Sequence, residues 1–196
     1  MADPISATPT PPAAPNILAR LRAETRPYHD ALEGNEFNQA LAAGTPSEAA
    51  TRRFLGKMYG FLVPYEAALR AHAAALGPAW EVAERQRSRL ILDDLQVPAG
   101  ELPPCPAMPP LASLPQLLGA MYVIEGSTLG GQVLARQLAK AGLDLGCYFT
   151  GYGALTGPRW KAFCQLLGAA ATPATEADIV QSASLTFQHL TTWLTT

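Results

Sequence analysis

At 196 residues, 48% of them hydrophobic, the chain is long enough to bury one packed core. Its 14 Lys and Arg against 16 Asp and Glu leave a formal charge of -2, which excludes a broad cationic face for nucleic acid or an anionic membrane. Cys105, Cys147 and Cys164 are odd in number and far apart, which fits neither a disulfide framework nor a CxxC metal or redox motif.

Residues 1–15, MADPISATPTPPAAP, are read as a disordered proline-rich tail, without the charged start and apolar run of a signal peptide. Nothing later approaches about 20 uninterrupted apolar residues. A soluble cytoplasmic protein is expected, with residues 16–196 as one domain. Helices are expected at 16–33, 47–76, 79–96, 114–141, 157–169 and 174–194, where good helix formers dominate and apolar residues recur at three and four. No β-branched alternation of useful length appears, so the class is all-α. Ser47 and Ser113 are candidate N-caps, and Gly77 and Gly142 candidate stops. Pro27 and Pro64 fall inside helices and should kink them or cost a hydrogen bond. Seven prolines between Pro98 and Pro115 mark an extended loop.

On the first helix Arg22, Arg26, His29 and Glu33 project into an arc of roughly 60°, beside an apolar stripe of Ile17, Leu21, Tyr28 and Leu32. Two readings stand. The face is a solvated surface with a His–Glu pair one turn apart, or it serves a ligand with acidic groups at one end and a metal at the other. In the second reading Glu33 accepts the Nδ1 proton of His29 and leaves Nε2 as the ligand.

The stretch LLGAMYVIEGSTLGGQVLARQL has helical periodicity yet carries Gly119, Gly126, Gly130 and Gly131. Each costs roughly 1 kcal/mol against alanine within a helix, so something approaches this backbone closely. Gly119, Gly126 and Gly130 fall within about 40° of one another and read equally as a helix-packing stripe or as the wall of a flat ligand's site. The hydroxyls of Ser127 and Thr128 compete for backbone groups and favour a bend there.

LRAETRPYHDALE together with YVIEGSTLGGQVLARQL resembles the haem oxygenase family, most closely its bacterial branch that supplies biliverdin to phytochrome-type photoreceptors. The resemblance implies a helical bundle holding haem b, both cofactor and substrate, between a proximal helix and a kinked glycine-rich distal helix. By it, His29 is the iron ligand, flanked by Thr25 and Glu33, with Arg22 and Arg26 on the propionate side. Tyr122, Val123, Gly126, Ser127, Gly130 and Gly131 supply the distal wall. His29, Gly126, Ser127 and Gly130 are its catalytic positions. Arg159 and Lys161, in GPRWKAF, would add to the propionate anchor, and Phe187 is similar to an aromatic pocket wall. Where the animal enzymes place a distal aspartate that orders water, this sequence has Ser127.

The implied reaction cleaves haem with O2 and external electrons to biliverdin, carbon monoxide and ferrous iron. The sequence has no GxGxxG fingerprint of its own, so the implied electron donor is a ferredoxin or reductase, and the implied bilin acceptor a phytochrome-type protein. A haem carrier or sensor without turnover would need the same His29 and arginines. A hydrolase built on Cys147 or Cys164 lacks a neighbouring histidine, and a di-iron bundle lacks its Glu-x-x-His pairs. His72 is expected to be an exposed helix residue, and His189 a packed or rim one.

Overall fold

A computed structural model describes residues 16–196, so the expected N-terminal tail lies outside the described residues. They form ten α-helices and no strand. In order these are α1 (Ile17–Glu33), α2 (Glu36–Ala42), α3 (Glu48–Ala71), α4 (Ala73–Leu76), α5 (Ser88–Leu95), α6 (Leu114–Gly126), α7 (Thr128–Lys140), α8 (Cys147–Thr150), α9 (Thr156–Ala170) and α10 (Glu176–Thr195).

The expected caps act as such. The Ser47 side chain accepts from Ala50 N at 3.2 Å. Ser113 and Gln116 form a reciprocal capping box at the start of α6. Gly77 and Gly142 take φ of 80° and 76°, a left-handed region that favours glycine and stops the chain from continuing as helix.

α10 is the central post, packed along α6 on one side and α1 on the other. Gly119 makes the first contact possible: a Cβ there would run into the carbonyl of Ile179 and the amide of Ala183. Ser182 Oγ donates to the Gln116 carbonyl at 2.5 Å across the same contact. Arg20 ties α1 to α10 through Glu176 at 3.1 Å.

Pro64 does not break α3. It lacks the amide that would bond the carbonyl of Gly60, and that carbonyl instead accepts from Cys105 N at 2.8 Å. Gly60 also leaves room for the carbonyl of Pro103. The proline-rich loop is thereby laced onto α3, and two imidazoles hold it further along: His72 Nε2 lies 3.2 Å from the Ala112 carbonyl and His189 Nδ1 2.8 Å from that of Ala107. His72 is thus half-buried between two carbonyls, with Nδ1 3.0 Å from that of Ala68, rather than exposed.

The expected helix over 79–96 is helical as α only from Ser88. Tertiary contacts override local propensity. Arg85 turns inward, donating to the Trp80 carbonyl at 2.6 Å, and the buried Glu66 carboxylate accepts from the amides of Arg87 and Ser88 at 2.6 and 2.8 Å, so that α5 begins there. α2 and α8 were not expected.

Candidate functional site

A cleft of about 920 Å³ opens between α1 and the α6–α7 pair. On the α1 side Arg22, Thr25, Arg26, His29 and Glu33 line it. His29 stands there because α1 buries Ile17, Leu21 and Thr25, which leaves the adjoining face turned to the cleft. Its side chain is half-exposed, and its ring meets Phe187 of α10 edge to face, centroids 5.8 Å apart. Nδ1 lies 3.6 Å from Asp30 and Nε2 3.7 Å from Glu33, both too long for hydrogen bonds. The orientation expected for Glu33 is therefore exchanged: Asp30 lies on the Nδ1 side, Glu33 on the Nε2 side. Asp30 is shared, since Arg26 Nε reaches both its oxygens at 3.0 Å.

The opposite wall is built on a break between α6 and α7. Ser127 Oγ donates to the Ile124 carbonyl at 2.8 Å and Thr128 Oγ1 to that of Glu125 at 2.6 Å. Arg87, itself buried, adds a guanidinium bond to the Ile124 carbonyl at 3.1 Å. Hydroxyl competition for the backbone is thus realised, with an arginine from outside the helix pinning the same carbonyl.

The glycines do not form one ligand-facing stripe. Gly119 and Gly126 share an azimuth but sit roughly 10 Å apart along the axis, so they meet different neighbours. Gly119 packs on α10 and does not line the cleft. A Cβ on Gly126 would touch the Trp160 indole at 3.5 Å, and one on Gly131 would collide with the backbone carbonyl of Phe149. Gly130 alone of the four has nothing within 4 Å of that position and opens into the cleft.

Tyr122, Val123, Gly126, Ser127, Gly131 and Phe187 all line the cleft. Burial pushes the Tyr122 phenol up from its usual range. Arg159 and Lys161 do not line it. Arg159 instead pairs with Glu81 at 3.2 Å and lies over the Tyr152 ring at 4.7 Å, while Lys161 is exposed on α9. Trp160 between them lines the cleft in their place. The signal was in the sequence: Trp160, Phe163 and Leu167 recur at three and four, the apolar period, so Arg159 and Lys161 flank that face at 100° to either side.

Behind the break lies a buried polar cluster. Arg85 Nη1 meets Glu125 Oε2 at 2.5 Å, with both side chains at most 1% exposed, and Tyr152 Oη donates to the same carboxylate at 3.0 Å. Burial drives the phenols of Tyr65 and Tyr152 upward. A lone glutamate in the apolar run MYVIEG was its one sequence signal.

Fold and cleft together define an all-α protein with an open cleft between two helices, lined by His29 on one side and by Ser127 and Gly130 on the other. No family model matches the chain. A heme oxygenase of Xanthomonas campestris pv. campestris (strain 8004) is 30% identical over 160 residues, 80% of this chain and 95% of that protein. The solved heme oxygenase from Leptospira interrogans superposes with a TM-score of 0.76 at 20% identity, covering 92% of this chain and 98% of the other. That from Neisseria meningitidis, one of the crystal structures of its NO- and CO-bound forms, gives 0.74 at 23%, covering 92% and 91%. Heme oxygenase-1 from Synechocystis sp. PCC6803, in complex with heme, gives 0.72 at 18%, again covering 92% and 91%. The chain belongs to the haem oxygenase family, whose reaction is the oxidative cleavage of haem by O2 and external electrons.

Proposed function

We propose that this haem oxygenase binds haem in the cleft between α1 and α6–α7, with His29 as the protein ligand to iron. The observation that carries the reading is the half-exposed His29 imidazole, free of hydrogen bonds and braced by Phe187, in the same cleft that the open position of Gly130 lines. The donor set fits haem: one imidazole, an apolar slot, and cations at the rim. Bound haem supplies the iron that takes O2 and the porphyrin carbon that is cleaved.

The chain's residues then divide the work. His29 would hold the iron, its ring flanked by Asp30 at 3.6 Å from Nδ1 and by Glu33 at 3.7 Å from Nε2. Arg22 and Arg26, on the cleft wall, would pair with the propionates. Gly130 keeps the distal space open. Ser127 donates its proton to the Ile124 carbonyl, so its hydroxyl oxygen is left to accept from water in the cleft in place of the distal carboxylate. Excluding strong acids from that wall suits a reaction in which oxygen must reach the porphyrin edge.

Gly130→Leu tests the placement. Leucine favours helix over glycine by roughly 1 kcal/mol, and no neighbour crowds the site, so the apo-protein should melt at the wild-type temperature or slightly higher. Haem titration should show affinity lowered at least ~10-fold, about 1.4 kcal/mol, because the side chain fills the slot. Early melting with normal haem binding would assign Gly130 to packing.

The rim cations act more softly. Arg26 is 73% exposed and already pairs with Asp30. Partly exposed ion pairs contribute roughly 0.2–1 kcal/mol, so Arg26→Ala should weaken haem binding less than tenfold while shifting the biliverdin isomer ratio, read by chromatography of the extracted bilin.

The proposal extends to electrons from a ferredoxin or reductase, and to a phytochrome-type acceptor for the bilin. Among the described residues no helix is long and apolar enough to cross a membrane. Similarity to heme oxygenases favours turnover over the carrier reading.

A further inference from the structure

The segment that carries Arg159 and Lys161 turns an indole, not a cation, into the cleft. Among the residues of α9, Trp160 alone lies on the cleft wall. Its ring rests against the bare backbone of Gly126, where a Cβ would stand 3.5 Å from Cη2 and 3.7 Å from Cζ3. Tyr122 flanks it with centroids 5.7 Å apart, and Phe163 lies nearly parallel to it at 5.6 Å. Phe163 is fully buried, held edge to face by Trp80 and lying beneath the Arg85 guanidinium, so the core braces the indole from behind.

The cleft's other aromatic wall is equally stiff. Phe54 and Phe149 line it and stack with Phe37 in a near-parallel trio, the closest pair 4.1 Å apart. The indole abuts the backbone at Gly126 and Phe149 abuts it at Gly131, five residues and roughly 7.5 Å further along the helix path. One protein ligand to iron would leave the haem free to turn about that bond, and mostly exposed arginines would resist the turning weakly. A braced aromatic wall resists it sterically.

We propose that Trp160 is a specificity-determining residue of the reaction: its indole packs on an apolar edge of the porphyrin, fixes where the haem sits in its own plane, and so selects the meso carbon that is cleaved. The proposal rests on haem occupying the cleft, and its test separates the two ideas. In the wild-type protein loaded with diamagnetic zinc protoporphyrin, nuclear Overhauser contacts should link the Trp160 indole to one porphyrin methyl or vinyl group. Contacts from Gly130 and Phe187 but none from Trp160 overturn this proposal alone; contacts from none of the three overturn the cleft as well.

Single turnover of Trp160→Ala haem complex should release a second bilin isomer as about a tenth or more of the product, with Trp160→Phe in between and Arg26→Ala shifting the ratio less. The same Trp160→Ala complex should show a second set of haem methyl resonances. A lowered melting temperature with the wild-type isomer ratio and one set of resonances would make Trp160 merely structural and overturn the assignment. Should Trp160→Ala fail to bind haem, the wild-type Overhauser measurement decides.

Discussion

Haem added to the His29→Ala protein should fail to give the ferric spectrum of the wild-type complex, and turnover should fall by ~100-fold or more, beyond the loss typical of an outer-shell partner. The reason is geometric. Among the three histidines only His29 lines the cleft, whereas His72 and His189 spend ring nitrogens on carbonyls of the proline-rich loop. His72→Ala and His189→Ala should therefore leave the spectrum intact and loosen the loop instead. Added imidazole, which can enter the space vacated by a half-exposed side chain, should restore the spectrum of His29→Ala and show that a ligand was lost rather than the fold. A wild-type spectrum in His29→Ala without imidazole would remove the residue from the site.

The second large effect is on stability. Glu125→Ala strands the Arg85 guanidinium, which is 0% exposed, without its carboxylate. Breaking a buried pair in this way costs about 3–5 kcal/mol, because the surviving charge cannot reach water. At roughly 2–4 °C per kcal/mol for a chain of this size, thermal unfolding should begin ~6–20 °C lower. Glu125→Gln keeps an acceptor for Tyr152 and for Arg85 and should lose less. Since Glu125 directly precedes Gly126, the alanine variant should also loosen the distal break. A melt within about 1 kcal/mol of wild type would mean the pair is not the keystone of that region.

How much of this was legible in the residues depends on which force decided each element. α1, α3, α9 and α10 follow an apolar period long enough to see, and Ser47, Ser113, Gly77 and Gly142 mark boundaries by their own chemistry. α2 and α8, of seven and four residues, are too short for a period to register. The stretch before Ser88 reads as helix by propensity. It is undone by Glu66, Glu125 and Trp80, which draw Arg85 and the amides of Arg87 and Ser88 inward from elsewhere in the chain.

The site divides in the same way. The face of α1 was visible because 3.6-residue periodicity places Arg22, Arg26, His29 and Glu33 together, and the break was visible in Ser127 and Thr128. Azimuth alone could not say that Gly119 meets α10, Gly126 an indole and Gly131 the backbone of Phe149. In GPRWKAF the two cations carry the obvious anionic-ligand chemistry, whereas the apolar period turns Trp160 inward between them.

Whether the cleft holds haem in order to cleave it is decided by the absorbance of the purified wild-type haem complex after a reductant is added in air. The Soret band should decay while a bilin absorption grows, and chromatography of the extract should recover biliverdin. A Soret band that persists unchanged through the same treatment, with haem recovered intact, would contradict cleavage and leave a protein that carries haem without cleaving it.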